Sequence, residues 1–365
     1  MNRRTFLKST GAISASLALP GTRRLLALGE TRADGWRVFE VTTRVEVLKP
    51  SGTTLVWLPT PLLDETPFQK TLASDFHAEG GSAELVRKPE DALGIVAAKF
   101  PDGVRPVLTS TCRVATRDYS VDLSAPGKAP RVDSAELEYF RQASKMIPID
   151  GAVKVLALDV TRGQSTDVEK ARAIYEWIAD KTYRNPKTRG CGVGDIRFLV
   201  ESKDFGGKCA DLNALYVGLA RAAGLPARDV YGIRIGPSAL GYKSLGLSSD
   251  NATKAQHCRA QVHLRDYGWV PVDPADVRKV VLEEPPGNLP IDDPKVQKAR
   301  VRLFGSWEMN WMAYNYGHDV ALPGTQGAPC NFLMYPQCET ADGRLDPLDA
   351  DDFRYQITAK EITAA

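Results

Sequence analysis

The sequence predicts an α+β fold in which an antiparallel β domain precedes a domain built on one apolar helix and one β-hairpin. Three patterns carry that expectation. Residues 36–123 alternate apolar and polar side chains and contain no helical run of useful length. Gly206 to Arg228, GGKCADLNALYVGLARAAGLPAR, repeats apolar residues at three- and four-residue steps. His257 to Asp276, HCRAQVHLRDYGWVPVDPAD, returns to a two-residue period around a turn.

Taken in order, the chain opens on NRRTFLK, a modestly apolar run from Ser9 to Leu19 and a second basic pair, Arg23-Arg24. This is the pattern of a twin-arginine export signal, and the run is too short to span a bilayer. Residues 1–33 are therefore expected to be a cleaved signal peptide, cut after Gly29 or Ala33, with the mature protein periplasmic or secreted. Residues 34–124 follow as the β domain, where Phe39, Val41, Thr43, Val45 and Val47 face one way. Trp57 reads as core and His77 as surface. A polar linker, residues 125–134, leads to a mixed helical and β domain over residues 135–298. There Thr166 and Glu169 form a capping box ahead of Val168, Ala171, Ile174, Tyr175 and Ile178 on one helical face. Residues 299–365 are an aromatic-rich extension expected to pack on this core; Phe353, Tyr355 and Ile357 stand at strand spacing.

Chemistry concentrates on the two central motifs. Cys209 falls in the first turn of its helix, where unpaired N–H groups and the positive end of the helix dipole favour a thiolate, and Lys208 adds positive charge. Gly206 and Gly207 in front of it leave backbone uncovered for an approaching carbonyl. In the hairpin, His257, Arg259, Gln261 and His263 alternate with apolar residues, and Asp273 follows on the return strand. Cysteine, histidine and carboxylate in this order suggest a thiol nucleophile, its base, and an acid that orients the base. The tightest hairpin sets Asp273 opposite Gln261, four residues and roughly 13 Å along the strand from His257. A bulge, a longer turn or a different pairing is required to bring them together.

At these residues the chain resembles the transglutaminase-like superfamily of papain-like cysteine enzymes. The likeness rests on the Cys209 helix, on the spacing from His257 to Gly268-Trp269, and on the VDPAD that follows, with weaker similarity back to Thr166. It implies a papain-like core in which the helix bearing the nucleophile packs on an antiparallel sheet. It implies Cys209 as nucleophile, His257 as general base and acid, Asp273 as orienting carboxylate, and no metal or organic cofactor. The substrate would be a peptide or protein amide, with the Cys209 N–H contributing to an oxyanion hole. Where the family commonly shows Trp and Glu beyond the histidine, this chain has Arg259 and Gln261. A guanidinium beside the histidine would repel an incoming ammonium, so hydrolysis, as a peptidase or amidase, is expected over cross-linking of glutamine to amines. The reading of another class is a non-catalytic binding module on the same fold.

Removing residues 1–33 takes away six basic residues and Glu30, which moves the net charge from +2 to −3. No basic stripe with interleaved aromatics remains, which argues against a nucleic-acid partner, and the mature chain holds no apolar run for a transmembrane span. Six cysteines without a CxxC pair, and four histidines, do not make a structural zinc site. Cys330 and Cys338 are the nearest pair in sequence for a disulfide. The double variant Arg3→Lys/Arg4→Lys is expected to leave unprocessed precursor in the cytosol, because the export receptor reads the arginine pair. Cell fractionation checks this, and normal export of the variant would contradict it.

Overall fold

The computed structural model describes residues 35–362 apart from 125 and 128, so the expected export signal lies outside the described residues. Arg37–Val47 is a strand because its apolar residues fall on alternate positions: Phe39, Val41, Val45 and Val47 are all buried. It lies inside an antiparallel sheet ordered Phe353–Glu361, Arg37–Val47, Val107–Thr116, Gln69–Glu79. A second antiparallel sheet runs Gly343–Leu345, Gln337–Thr340, Thr54–Pro59, Leu93–Phe100, Ser82–Lys88. Val45, Val47, Leu108 and Phe353 from the first sheet meet Val56, Leu58, Val96 and Phe100 from the second, making a two-layer sandwich. Trp57 is core, its Nε1 donating to the Pro323 carbonyl at 2.9 Å, and His77 is exposed.

The other half of the same apolar row has a different partner. Phe39 and Val41, with Cys112, Val114 and Ile357, join the core that includes Cys209, Leu212, Ile233 and Met312. One face of one strand thus lies in two cores and fixes the sandwich against the helical domain. The segment after residue 299 threads both parts. Trp311–Asn315 pairs with Ala227–Arg234, while Gln337–Thr340 and Phe353–Glu361 complete the two sandwich sheets. Its aromatics serve packing: Trp307 and Trp311 are fully buried, with ring centroids 5.7 Å apart.

The helical domain surrounds Cys209–Ala222, every residue of which is buried. A helix with no solvent-exposed face must be covered all round. One side lies on the sheet Gly268–Val272, Arg259–Leu264, Ala227–Arg234, Trp311–Asn315; the others meet Gly151–Val160, Asp167–Lys181 and Pro274–Glu283. Gly218 permits the closest approach, because a Cβ there would lie 2.1 Å from Ile196 Cδ1. The helix ends at Gly224, whose φ of +92° suits the left-handed turn that lets Leu225 N–H reach the Ala220 carbonyl at 2.9 Å. The capping box on Asp167–Lys181 forms as its sequence predicts, Thr166 and Glu169 each accepting from the other's backbone. No helix among the described residues is long and apolar enough to cross a membrane.

The shared floor gives a stability test. Ile357→Ala removes a buried side chain at the seam and is expected to cost about 2–5 kcal/mol in urea unfolding, while Arg354→Ala on the exposed face of the same strand should cost less than about 0.5 kcal/mol. Equal midpoints for the two variants would show that the strand is not integral to the seam.

Candidate active site

Cys209 is the first residue of its helix and is 3% exposed, at the end of a cleft of about 770 Å³. The helix start is held by Asp211. Its carboxylate accepts from Lys208 N–H and, at 3.0 Å each, from Val193 and Gly194 N–H, tying the loop in front of the helix to its first turn. That contact accounts for two glycines. A Cβ on Gly192 would fall 1.9 Å from Asp211 Oδ2, and one on Gly207 would fall 2.5 Å from Asp211 Cβ. Gly206 is likewise required by the Tyr183 ring, 2.3 Å from an added Cβ. Gly206 and Gly207 therefore admit neighbouring side chains, not a substrate as their position in the sequence suggested.

His257 is buried and precedes its strand, which begins at Arg259. Its N–H donates to the Gly232 carbonyl at 3.0 Å, and its Nε2 lies 2.8 Å from Asp273 Oδ2. The register explains how they meet. Ala260 pairs with Val272, so the three residues between the strands leave Asp273 level with Arg259, two positions from His257 instead of four. Asp273 is also the N-cap of Pro274–Glu283. Its Oδ1 accepts from Asp276 N–H at 3.1 Å and from Asn213 Nδ2 at 3.2 Å, which leaves Oδ2 free for the imidazole. The same Asn213 amide donates to the Cys258 carbonyl at 2.8 Å, locking the segment that carries His257.

The sequence signature of the transglutaminase-like superfamily matches residues 154–274, which include Cys209, His257 and Asp273. An uncharacterised protein of Haemophilus influenzae is 30% identical over 345 residues, covering 89% of this chain and 92% of its own length. The chain belongs to the transglutaminase-like superfamily. The structure of a candidate cysteine protease from Cytophaga hutchinsonii shares the fold, with a TM-score of 0.53 at 16% identity over 89% of this chain and 98% of the other. The architecture is that of a papain-like thiol enzyme.

In this transglutaminase-like core, two residues that sequence reasoning passed over, Cys191 and Cys258, pack with Cys209. Hydrogen bonds from Cys191, then Cys258, hold the Cys209 thiol well below the ordinary range; burial opposes them, and a hydrogen bond from His257 and its charge assist. The effect on the neighbours is the reverse. Bonding to Cys209 and burial push Cys191 up, and burial followed by Cys209 pushes Cys258 up, so both keep their protons. Cys191 has one proton and a second acceptor, the Gln256 carbonyl at 3.2 Å. All six cysteines are free thiols. The alternation that put Cys258 on the face away from His257 does not apply, because both residues lie ahead of the strand. Adjacency to the histidine was the available signal for Cys258, whereas Cys191 sits in a glycine loop without one.

His257 is raised: burial works against its charge, and the carboxylates of Asp276 and Asp273 outweigh burial and Arg234. Asp273 is raised by burial and by Asp276, against the pull of His257 and Arg259. Asp276 stays well below the usual carboxylate range despite burial, chiefly through Arg234, whose Nη2 donates to both its oxygens at 2.6 and 2.8 Å. His257, Asp273 and Asp276 could by spacing hold a metal ion, their ligand atoms lying within 4.8 Å of one another. Guanidinium groups occupy the cationic side of that cluster, Arg234 on Asp276 and Arg259 Nε 3.5 Å from Asp273 Oδ2, so it is satisfied as an ion-pair network. Arg259 is not at the cleft. It is 2% exposed, donates to the Glu308 carbonyl at 3.0 Å and lies over the Trp311 ring at 4.7 Å, which corrects the expectation that it meets an incoming amine.

The thiol cluster makes a measurable difference. Cys258→Ala removes a donor to the Cys209 sulfur and is expected to raise the pH midpoint of Cys209 alkylation by about one unit, the worth of one hydrogen bond to a charged group. Cys338→Ala, a distant buried thiol, should leave it in place. Iodoacetamide labelling across pH with mass mapping reads both, and coincident midpoints for wild type and Cys258→Ala would contradict the role given to Cys258.

Proposed function

We propose that this protein is a thiol acyl-transfer enzyme that hydrolyses amide bonds in peptides or amide side chains, as a peptidase or amidase. The observation that supports it best is the 2.8 Å contact of His257 with Asp273, with His257 and Cys209 together in the lining of one cleft. With Nε2 held by Asp273, Nδ1 is the nitrogen left for the thiol. Cys209 attacks the carbonyl as thiolate, and the imidazolium returns its proton to the leaving amine. The Ala210 N–H is taken by the Cys191 carbonyl at 2.9 Å, so the Cys209 N–H is the helix donor assigned to the oxyanion. Asp273 fixes the tautomer and orientation of the imidazole.

Hydrolysis is favoured over amine transfer by what lines the cleft. An amine acceptor must outcompete water at roughly 55 M, which requires a pocket that holds it. Here Ser248, Asn251 and Thr253 in the lining are polar, and Lys208, Lys254 and Lys279 repel an ammonium. Incubating the mature protein with a peptide library and a labelled primary amine, read by mass, tests the assignment. Cleaved or deamidated products that vanish in Cys209→Ala are expected. Amine incorporation as the main product would make it a cross-linking enzyme, and no Cys209-dependent product would favour the binding module. Asp273→Asn should lower kcat by about 10⁴-fold at most, with more activity remaining than in His257→Ala.

A further inference from the structure

The cleft that ends at Cys209 is lined by six cationic side chains, Arg184, Arg189, Lys208, Arg234, Lys254 and Lys279, and by no Asp or Glu. The whole chain is nearly balanced, with 47 Lys and Arg against 45 Asp and Glu, so an ordinary mixed surface would place acids there too. The cations come from separate segments. Arg184 lies level with Gly207 in a two-residue parallel pairing, which sets it beside Lys208 and Cys209. Lys279 projects from Pro274–Glu283 and shares Glu283 with Arg184. Arg189 precedes Cys191, and Lys254 precedes His257.

Three of the six are already neutralised, Arg184 by Glu283, Arg189 by Asp346 and Arg234 by Asp276. The remaining three have no carboxylate to themselves. Among the described residues Lys208 and Lys254 form no ion pair. The nearest carboxylate oxygen to Lys279 is the shared Glu283 at 3.7 Å, although its side chain is only 19% exposed. Burial, and then Arg234, push the Lys279 ammonium down against the pull of Asp276 and Glu283. A solvated surface lysine describes Lys254, but it does not describe a largely buried ammonium with a distant, shared partner. Such a group is stabilised when an anion enters beside it.

We propose that the acyl donor is anionic: a peptide or amide with carboxylate groups flanking the scissile bond, held by Lys208, Lys254 and Lys279. This rests on Cys209 being the nucleophile of the proposed function, and the test separates the two statements. The probes are iodoacetate and iodoacetamide, which alkylate the same sulfur and differ in charge. At low salt the ratio of their rates at Cys209 should exceed that of 2-mercaptoethanol by at least about tenfold, and it should fall as salt shortens the screening length to roughly 3 Å at 1 M. The His257 imidazolium also attracts iodoacetate, so the lysines are tested directly. Lys208→Gln/Lys279→Gln is expected to lower the ratio severalfold, while Lys99→Gln on the remote face should not change it. An unchanged ratio in the double variant overturns the anionic substrate and leaves the nucleophile standing. A Cys209 that iodoacetamide modifies no faster than the other cysteines overturns the proposed function itself.

Discussion

The buried contact between His257 and Asp273 is the constraint around which the rest of the molecule is arranged. Taking ions out of water costs several kcal/mol each unless partners replace the lost solvation. Here Asp273, Asp276, Arg234 and Arg259 replace it for one another, and His257 and Arg234 are the members that line the cleft. The partners come from three elements: Asp273 and Asp276 from one helix start, Arg234 from one strand, Arg259 from the next. The network can form only when helix, hairpin and sheet are assembled. Asp273 joins folding to chemistry most closely, since one of its oxygens caps a helix and the other holds the imidazole.

The opposite side of His257 shows a similar economy of placement. The Cys209 helix begins where Asp211 clamps the Val193–Gly194 backbone, and this brings Cys191 against the sulfur. Cys258, ahead of the strand and held through its carbonyl by Asn213 Nδ2, is the second thiol. Two thiols that keep their protons are thus donors to a third that loses its own. The floor beneath them is the sandwich sheet, whose strand Arg37–Val47 and returning C-terminal strand make the β domain a structural part of the site.

Much of this was legible in the sequence. The Cys209 helix showed its period and its Gly-Pro end, the capping box named its own residues, and alternation found the first strand because one of its faces, Thr43 apart, is apolar. The Cys209, His257 and Asp273 positions were visible as residue types in a given order. Their register was not, because it depends on how many residues the Asp266–Gly268 turn consumes, and hydrophobic alternation is blind to a two-residue shift. Arg259 was misplaced for a related reason: extending the strand back through His257 turned the guanidinium toward the cleft, whereas the strand starts later and buries it under Asp273. Asp276, Arg234 and Cys191 carry no local signal, since their meaning lies in long-range contacts. The same holds for the short C-terminal strands, whose partners are some three hundred residues away.

The central claim is that His257, raised by two carboxylates, and Cys209, lowered by its neighbours, coexist as imidazolium and thiolate. The most direct measurement is the ultraviolet absorbance of thiolate in the mature wild-type protein minus that of Cys209→Ala, followed from alkaline to acid pH. Linkage gives the sign: a lowered thiol pKa keeps the thiolate signal below neutrality, and it is lost only when the pair takes up a proton. The account predicts a difference signal that persists well below neutral pH. Loss of the signal in a single step near ~8.5, the range of an ordinary thiol, would contradict it.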